Sequence, residues 1–238
     1  MTNLKEMIYK RKSTRKYDMT TLENNMLKNI RRFLDEIKPL HDRIKVEYEI
    51  TEGESVRGLF SIKAPHYLII SSEAKEGYLP NAGFMLQQMD LYLQSIGLGS
   101  CWLGGAKPPV KPNPPFEFVI LLAFGKPQEN PHRSLSEFKR KSLSEISDTV
   151  DKRLEPARLA PSAINSQPWY FLNEGNVFHV YRVKYGAIKN LIYERMNQID
   201  MGIALSHLYV ENSDKFRFFT ADNPRQLKKH CYIGSIEI

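Results

Sequence analysis

The sequence predicts an α+β fold built as two like halves, and three observations carry that prediction. Strand and helix periodicities alternate along the whole chain. Two long helical stretches stand at matching places, Asn81 to Ile96 and Asn190 to Val210; the first is apolar nearly all round and so belongs at a centre. One basic motif occurs twice: Tyr9-Lys10-Arg11-Lys12-Ser13 returns 129 residues later as Phe138-Lys139-Arg140-Lys141-Ser142. The long helices also open alike, Asn81-Ala82-Gly83 against Asp200-Met201-Gly202, at a spacing of 119. Element order agrees in both parts: basic turn, helix, strand or hairpin, long helix, terminal strand. The expected arrangement is two pseudo-symmetric copies, residues 1–135 and 136–238, packed about an approximate two-fold so that one chain imitates a homodimer.

Each element has its own signal. Residues 3–10 read as a short amphipathic helix with Leu4, Met7 and Ile8 on one face. Arg11 to Tyr17, R-K-S-T-R-K-Y, reads as a basic turn around a serine. Thr21 is placed to cap a helix from Leu22 to about Lys38, which Pro39 ends. Ile44 to Ile50 alternates apolar and charged residues, the pattern of a half-buried strand, and His66 to Ser72 is a more buried one. After the first long helix comes a glycine-rich passage, G-L-G-S-C-W-L-G-G at 97–105, and then a core strand from Phe116 to Phe124. In the second part a helix covers about Thr149 to Leu159. Trp169–Leu172 and Val177–Val183 form a hairpin around N-E-G-N, and short strands follow at 216–219 and 232–238.

Composition bounds the function without choosing it. The 238 residues are 42% hydrophobic and 26% charged, enough for a sizeable core. Cys101 and Cys231 show neither metal-ligand spacing nor a disulfide framework, which suits a reducing cytoplasm. No apolar run reaches membrane-spanning length, and the first residues have no signal-peptide core. A net charge of +7 is compatible with phosphate-bearing ligands. Nucleic acid is disfavoured, because the cations are spread along the chain instead of gathered among aromatics.

The most chemically loaded stretch is Ala160 to Phe171, A-P-S-A-I-N-S-Q-P-W-Y-F. Pro161 and Pro168 restrain it, while Ser162, Asn165 and Gln167 offer hydrogen bonds to a ligand rich in hydroxyls or ring amides. The corresponding stretch of the first half, Pro39 to Glu47, has no Asn, Gln or Trp, and the second basic turn has Glu145 where the first has Arg15. Only the first basic turn with the second polar loop makes a complete set. One site per chain is therefore expected, with a degenerate counterpart to which Arg140 belongs.

R-K-S-T-R-K-Y resembles the N-terminal R-x-S-x-R-x-[FY] of the nitroreductase superfamily, and A-P-S-A-I-N-S-Q-P-W-Y-F is similar to that family's A-P-S-x-x-N-x-Q-P-W-x-F. The glycine-rich passage resembles the segment after the family's central dimer helix. Because the polar loop lies near residue 160, the arrangement resembles the internally duplicated, Thermotoga-type branch. The resemblance implies a nitroreductase-like fold, with a small, largely antiparallel sheet in each half and the long helices at the pseudo-dimer interface. It implies FMN held by Arg11, Lys12, Ser13 and Arg15, with Cys101, Trp102, Leu103, Gly104 and Gly105 along the ring. Arg133 would close on the phosphate, and Pro161, Ser162, Asn165 and Gln167 would reach across from the other half. No catalytic side chain and no metal are expected, because the flavin carries the chemistry. The implied activity is NAD(P)H oxidoreduction by ping-pong hydride transfer through flavin N5 to a nitroaromatic, quinone or similar acceptor. The alternative is a flavin-binding storage or sensor protein without turnover.

Overall fold

Two four-stranded antiparallel sheets, each packed on one long helix, account for most of the regular structure in the computed structural model, which describes residues 3–53, 56–58 and 62–238. The first sheet has the order β1-β3-β6-β4, from β1 (Val46–Glu52), β3 (His66–Glu73), β4 (Gly99–Leu103) and β6 (Phe116–Gly125). The second has the order β7-β8-β10-β9, from β7 (Trp169–Glu174), β8 (Val177–Val183), β9 (Arg217–Phe219) and β10 (His230–Glu237). A two-residue ladder joins β2 (Arg57–Gly58) to β5 (Ala106–Lys107). Strand β3 is buried on both faces, as its unbroken apolar run requires, whereas β1 alternates at the sheet edge. The β7–β8 hairpin turns at Gly175, whose φ is +72°.

The two long helices, α3 (Tyr78–Ser95) and α6 (Ala187–Glu211), cross at glycine. A Cβ on Gly83 would lie 2.1 Å from the Ile199 carbonyl oxygen, and one on Gly202 would lie 1.9 Å from that of Pro80. Backbone meets backbone there, so only glycine fits on either side. Shorter helices surround this pair: α1 (Leu4–Ile8), α2 (Asn24–Glu36), α4 (Leu143–Ile146) and α5 (Glu155–Leu159).

Three local readings are corrected. Helix α2 starts at Asn24 with Glu23 at its N-cap and no side-chain cap bond, so Thr21 does not cap it. The stretch 149–159 is a 3₁₀ turn at Lys152–Leu154 followed by α5, with Pro156 at the start of the helix fixing where it begins. The glycine-rich passage is mostly a strand, β4, because pairing with β6 supplies the backbone partners that its local pattern does not advertise.

Candidate ligand site

The basic segment is extended, not turned. Ser13 bridges to Ser100 of β4, Arg11 to His132 and Tyr17 to Pro127, so the segment is held on both sides. The Thr14 amide donates to the Ser100 carbonyl at 2.9 Å, and the Arg133 amide to the Lys10 carbonyl at 2.8 Å. Gly99 allows this approach, since a Cβ there would lie 2.3 Å from Thr14 Oγ1. Tyr17 anchors the far end by donating its hydroxyl to the Thr14 carbonyl at 2.8 Å.

Facing this segment is the polar loop. Its backbone is strained: Ile164, Asn165 and Gln167 have φ of +49°, +57° and +47°, which is costly for a β-branched residue such as Ile164. Asp200 of α6 fixes the loop by accepting the Ala163 amide on both carboxylate oxygens at 3.1 Å. The Gln167 amide donates to Ser162 Oγ at 2.9 Å.

Between segment and loop runs a cleft with two contrasting ends. The narrower end, about 160 Å³, is walled by Cys101, Trp102 and Gly104 at the end of β4, and by Ile120. Pro161–Ile164 and Met196, Ile199, Asp200 and Ile203 close it from the other side. The wider end, about 470 Å³, is lined by Arg11, Lys12, Arg133, Glu137, Lys139, Arg140 and Asn165. Ser13, Arg15, Pro161, Ser162 and Ile164 line both ends. One end is thus largely apolar and the other cationic.

Most of the sequence-predicted residues meet here, and three do not. Leu103 is buried with Tyr17 and Leu121, and Gly105 is exposed beyond the end of β4. Gln167 is 3% exposed, and its Oε1 accepts the Lys141 amide at 2.8 Å. Its amide therefore braces the second basic segment and is not presented to the cleft. Arg140, expected at a degenerate counterpart, lines this cleft instead, and its Nη1 donates to Asn165 Oδ1 at 2.6 Å. Its position in the repeated motif is the signal that was available. Asp200 was signalled as the counterpart of Asn81 in the matched helix openings, whereas the apolar wall from α6 had no signal beyond helical periodicity.

Behind the cationic end lies a buried polar network. Arg11 is 0% exposed, with its Nε 2.8 Å from Asp90 Oδ2. Asp90 also accepts from Gln87 Nε2 at 2.9 Å and from the Ser100 hydroxyl. Gln87 Nε2 lies 3.1 Å from His207 Nε2, and His207 Nδ1 lies 2.9 Å from the Pro156 carbonyl. That carbonyl only accepts, so Nδ1 carries the proton and Nε2 accepts from Gln87. Burial pushes the His207 pKa down to about 3, so the ring stays neutral. A lone buried Arg11 would be costly; Asp90 offsets its charge.

Three further groups are shifted. Burial raises the Cys101 thiol, against the opposing pull of Arg15 and Arg11, so it lines the cleft as a thiol and not a nucleophilic thiolate. Burial raises Asp200 to about 8, only partly offset by the Ala163 amide and the nearby Ser166 hydroxyl. Arg133 is lowered by burial and then by Arg11. Among the described residues no cluster of metal-binding side chains occurs, and no helix is long and apolar enough to cross a membrane.

The family model described as "Putative TM nitroreductase" matches residues 3–212. A solved structure of a "putative nitroreductase" from Thermotoga maritima MSB8 is similar at a TM-score of 0.67 and 23% identity, covering 98% of this chain and 92% of that one. A nitroreductase family protein from Clostridium difficile 630 is similar at a TM-score of 0.49 and 16% identity, over 61% of this chain and 96% of that one. No curated protein matches.

Proposed function

On the premise that the chain belongs to this nitroreductase family, we propose that it is an FMN-dependent NAD(P)H oxidoreductase with one flavin site, the cleft between the basic segment and the polar loop. The observation that carries this reading is the cleft's two-ended chemistry. FMN joins a flat, mainly apolar ring to a dianionic phosphate, and the cleft joins a largely apolar slot to a cationic bowl. Unmatched donors support the fit: the buried Nη1 of Arg11, Nε of Arg140 and Nε1 of Trp102 have no hydrogen-bond partner among the described residues.

Arg11, Lys12 and Arg133 would hold the phosphate, Ser13 and Arg15 the middle of the ligand, and Cys101, Trp102 and Gly104 one side of the ring. Pro161 and Ser162 would close from the polar loop, with Asn165 beside the phosphate. When bound, FMN supplies the two-electron, hydride-accepting chemistry that the side chains lack. The chain's own part is to bind and orient it and to shed water from the slot. Cations beside the ring's oxygen-bearing edge would favour a reduced, anionic flavin. No side chain is assigned as acid or base. NAD(P)H and an acceptor such as a nitroaromatic or quinone would use the open face in turn.

The duplicated reading belongs to this proposal. Offset by 119 residues, Gly83 against Ile199 becomes Gly202 against Pro80, so the helix crossing reads the same from either side. Strand orders β1-β3-β6-β4 and β7-β8-β10-β9 also correspond element for element along the chain. Both agree with halves at 1–135 and 136–238 and with a monomer acting as a pseudo-dimer. Two free cysteines agree with a cytoplasmic protein.

The test is the absorption spectrum of the purified protein, then anaerobic addition of NADH or NADPH. A flavin band that bleaches within seconds is the expected result. Protein that is colourless and takes up no added FMN overturns the reading.

A further inference from the structure

Both copies of the basic motif send their arginine to the same cleft. Arg11 and Arg140 occupy the same place in R-K-S and K-R-K-S, 129 residues apart, yet both line the cationic end together with Arg133. A phenyl ring spaces two of them: the Arg133 guanidinium lies 4.5 Å from the Phe138 ring centre and that of Arg140 lies 5.7 Å from it. Arg133 is further fixed by donating Nε to the Arg11 carbonyl at 3.0 Å.

Arg140 is built in, not swinging free. Nη1 donates to Asn165 Oδ1 at 2.6 Å, and Asn165 Nδ2 donates back to the Lys139 carbonyl at 2.8 Å. The adjoining Lys141 is locked to the polar loop through Gln167, amide to Oε1 at 2.8 Å and Nζ to the carbonyl at 2.9 Å. Yet Arg140 Nε is buried with no partner among the described residues. The guanidinium sits near three others, of which Arg11 is paired with Asp90 and Arg158 with Glu155, while neither Arg133 nor Arg140 has a carboxylate in an ion pair among the described residues. Glu137, the one acid among the described residues lining this end, is engaged with Ser134 as a helix cap. Packed guanidinium groups with a spare buried donor are costly unless an anion joins them.

We propose that Arg140 is a binding residue of the same flavin site, its fork completing the grip on the FMN phosphate from the second half of the chain. This rests on the flavin reading above and deepens it. Lending the second copy's arginine to the first copy's site strengthens one site and strips its counterpart. It also ties the phosphate, through Asn165, to the loop that walls the ring.

Flavin titration of the apoprotein tests it, with FMN and riboflavin compared on wild type, Arg140→Gln, Arg140→Lys and a charge control, Arg32→Gln on exposed α2. Arg140→Gln is expected to weaken FMN about 10- to 100-fold, with riboflavin unchanged. Arg140→Lys, which keeps the charge but not the fork, is expected to fall in between, and Arg32→Gln is expected to match wild type. FMN affinity that is unchanged in Arg140→Gln overturns the proposal. So does an equal loss for both flavins, which would mean that Arg140 acts by supporting the loop alone. If Arg140→Gln fails to fold, Arg140→Lys decides: a loss confined to FMN supports the assignment, and none overturns it. If wild type binds neither flavin, the function proposed above falls. That outcome takes this assignment down with it, whereas a wild type that binds FMN and an Arg140→Gln that binds it equally well overturn this assignment alone.

Discussion

The two long helices hold their neighbouring loops in the same way, yet the loops carry different side chains. On α3, Asn81 accepts the Leu40 and His41 amides on Oδ1, both at 2.9 Å. On α6, 119 residues later, Asp200 accepts the Ala163 amide. The anchor is common; the cargo differs. In the first half the loop brings in Leu40, packed on the core, and His41, whose ring meets Phe218 edge-on at 5.4 Å. Phe218 belongs to β9, so a strand of the second sheet sets an aromatic side chain against this loop. In the second half the loop carries Ser162 and Asn165 on a strained backbone beside an open slot. The two loops thus share a mode of attachment and differ in the side chains they carry, which fits the proposal of one open site and a filled counterpart.

The largest test strikes the crossing on which the comparison rests. Gly202→Ala and Gly83→Ala each drive a methyl into backbone that cannot step aside, and each is expected to cost about 3 kcal/mol or more in urea unfolding. Similar costs for both would support the proposed two-fold. A large loss at one and none at the other would break it.

Next comes the chemical difference between the anchors. Asp200 has its pKa raised to about 8 in the folded chain, whereas in the unfolded chain it titrates near 4, its ordinary value. Between those values the folded state holds a proton that the unfolded state has released. Its contribution is therefore complete below about pH 4 and lost as pH rises to about 8, at up to about 1.4 kcal/mol per unit. Comparing pH 5 with pH 7, Asp200→Asn is expected to remove about 2–3 kcal/mol of decline while one amide oxygen still accepts from Ala163. A decline unchanged in Asp200→Asn would mean that Asp200 is not its source. The reciprocal change, Asn81→Asp, should install a like decline in the first half. Asn81→Ala should cost about 1–2 kcal/mol at every pH by orphaning the Leu40 and His41 amides.

How much of this the sequence disclosed depends on where the signal lives. Strands β3, β6, β7 and β8 and both long helices were legible, because burial writes apolar runs and periods into a chain. Strand β4 was not, because a glycine-rich segment becomes a strand only once β6 supplies its ladder. The cleft's polar residues stood out by type and order. Gln167 misled for the same reason: an amide in a polar loop looks alike whether it faces a ligand or, as here, the Lys141 backbone. Arg140 was visible as a copy of Arg11 but was assigned to the wrong site, since sequence order gives no direction to a side chain.

The smallest expected effect on stability separates packing from presentation. Leu40 packs against the core, but Ile164 on the other loop, next to the anchored Ala163, is 73% exposed with φ +49°. Glycine at 164 would relieve backbone strain of about 1 kcal/mol and pay a similar amount in unfolded-chain entropy. Ile164→Gly should therefore shift unfolding by no more than about 0.5 kcal/mol. Because Ile164 lines both ends of the cleft, the same change should weaken FMN in titration by several-fold. Stability kept with affinity lost would mark Ile164 as held out for a ligand. Loss of more than about 1 kcal/mol with affinity intact would make it an ordinary packing residue, and the two loops would then differ less than their side chains suggest.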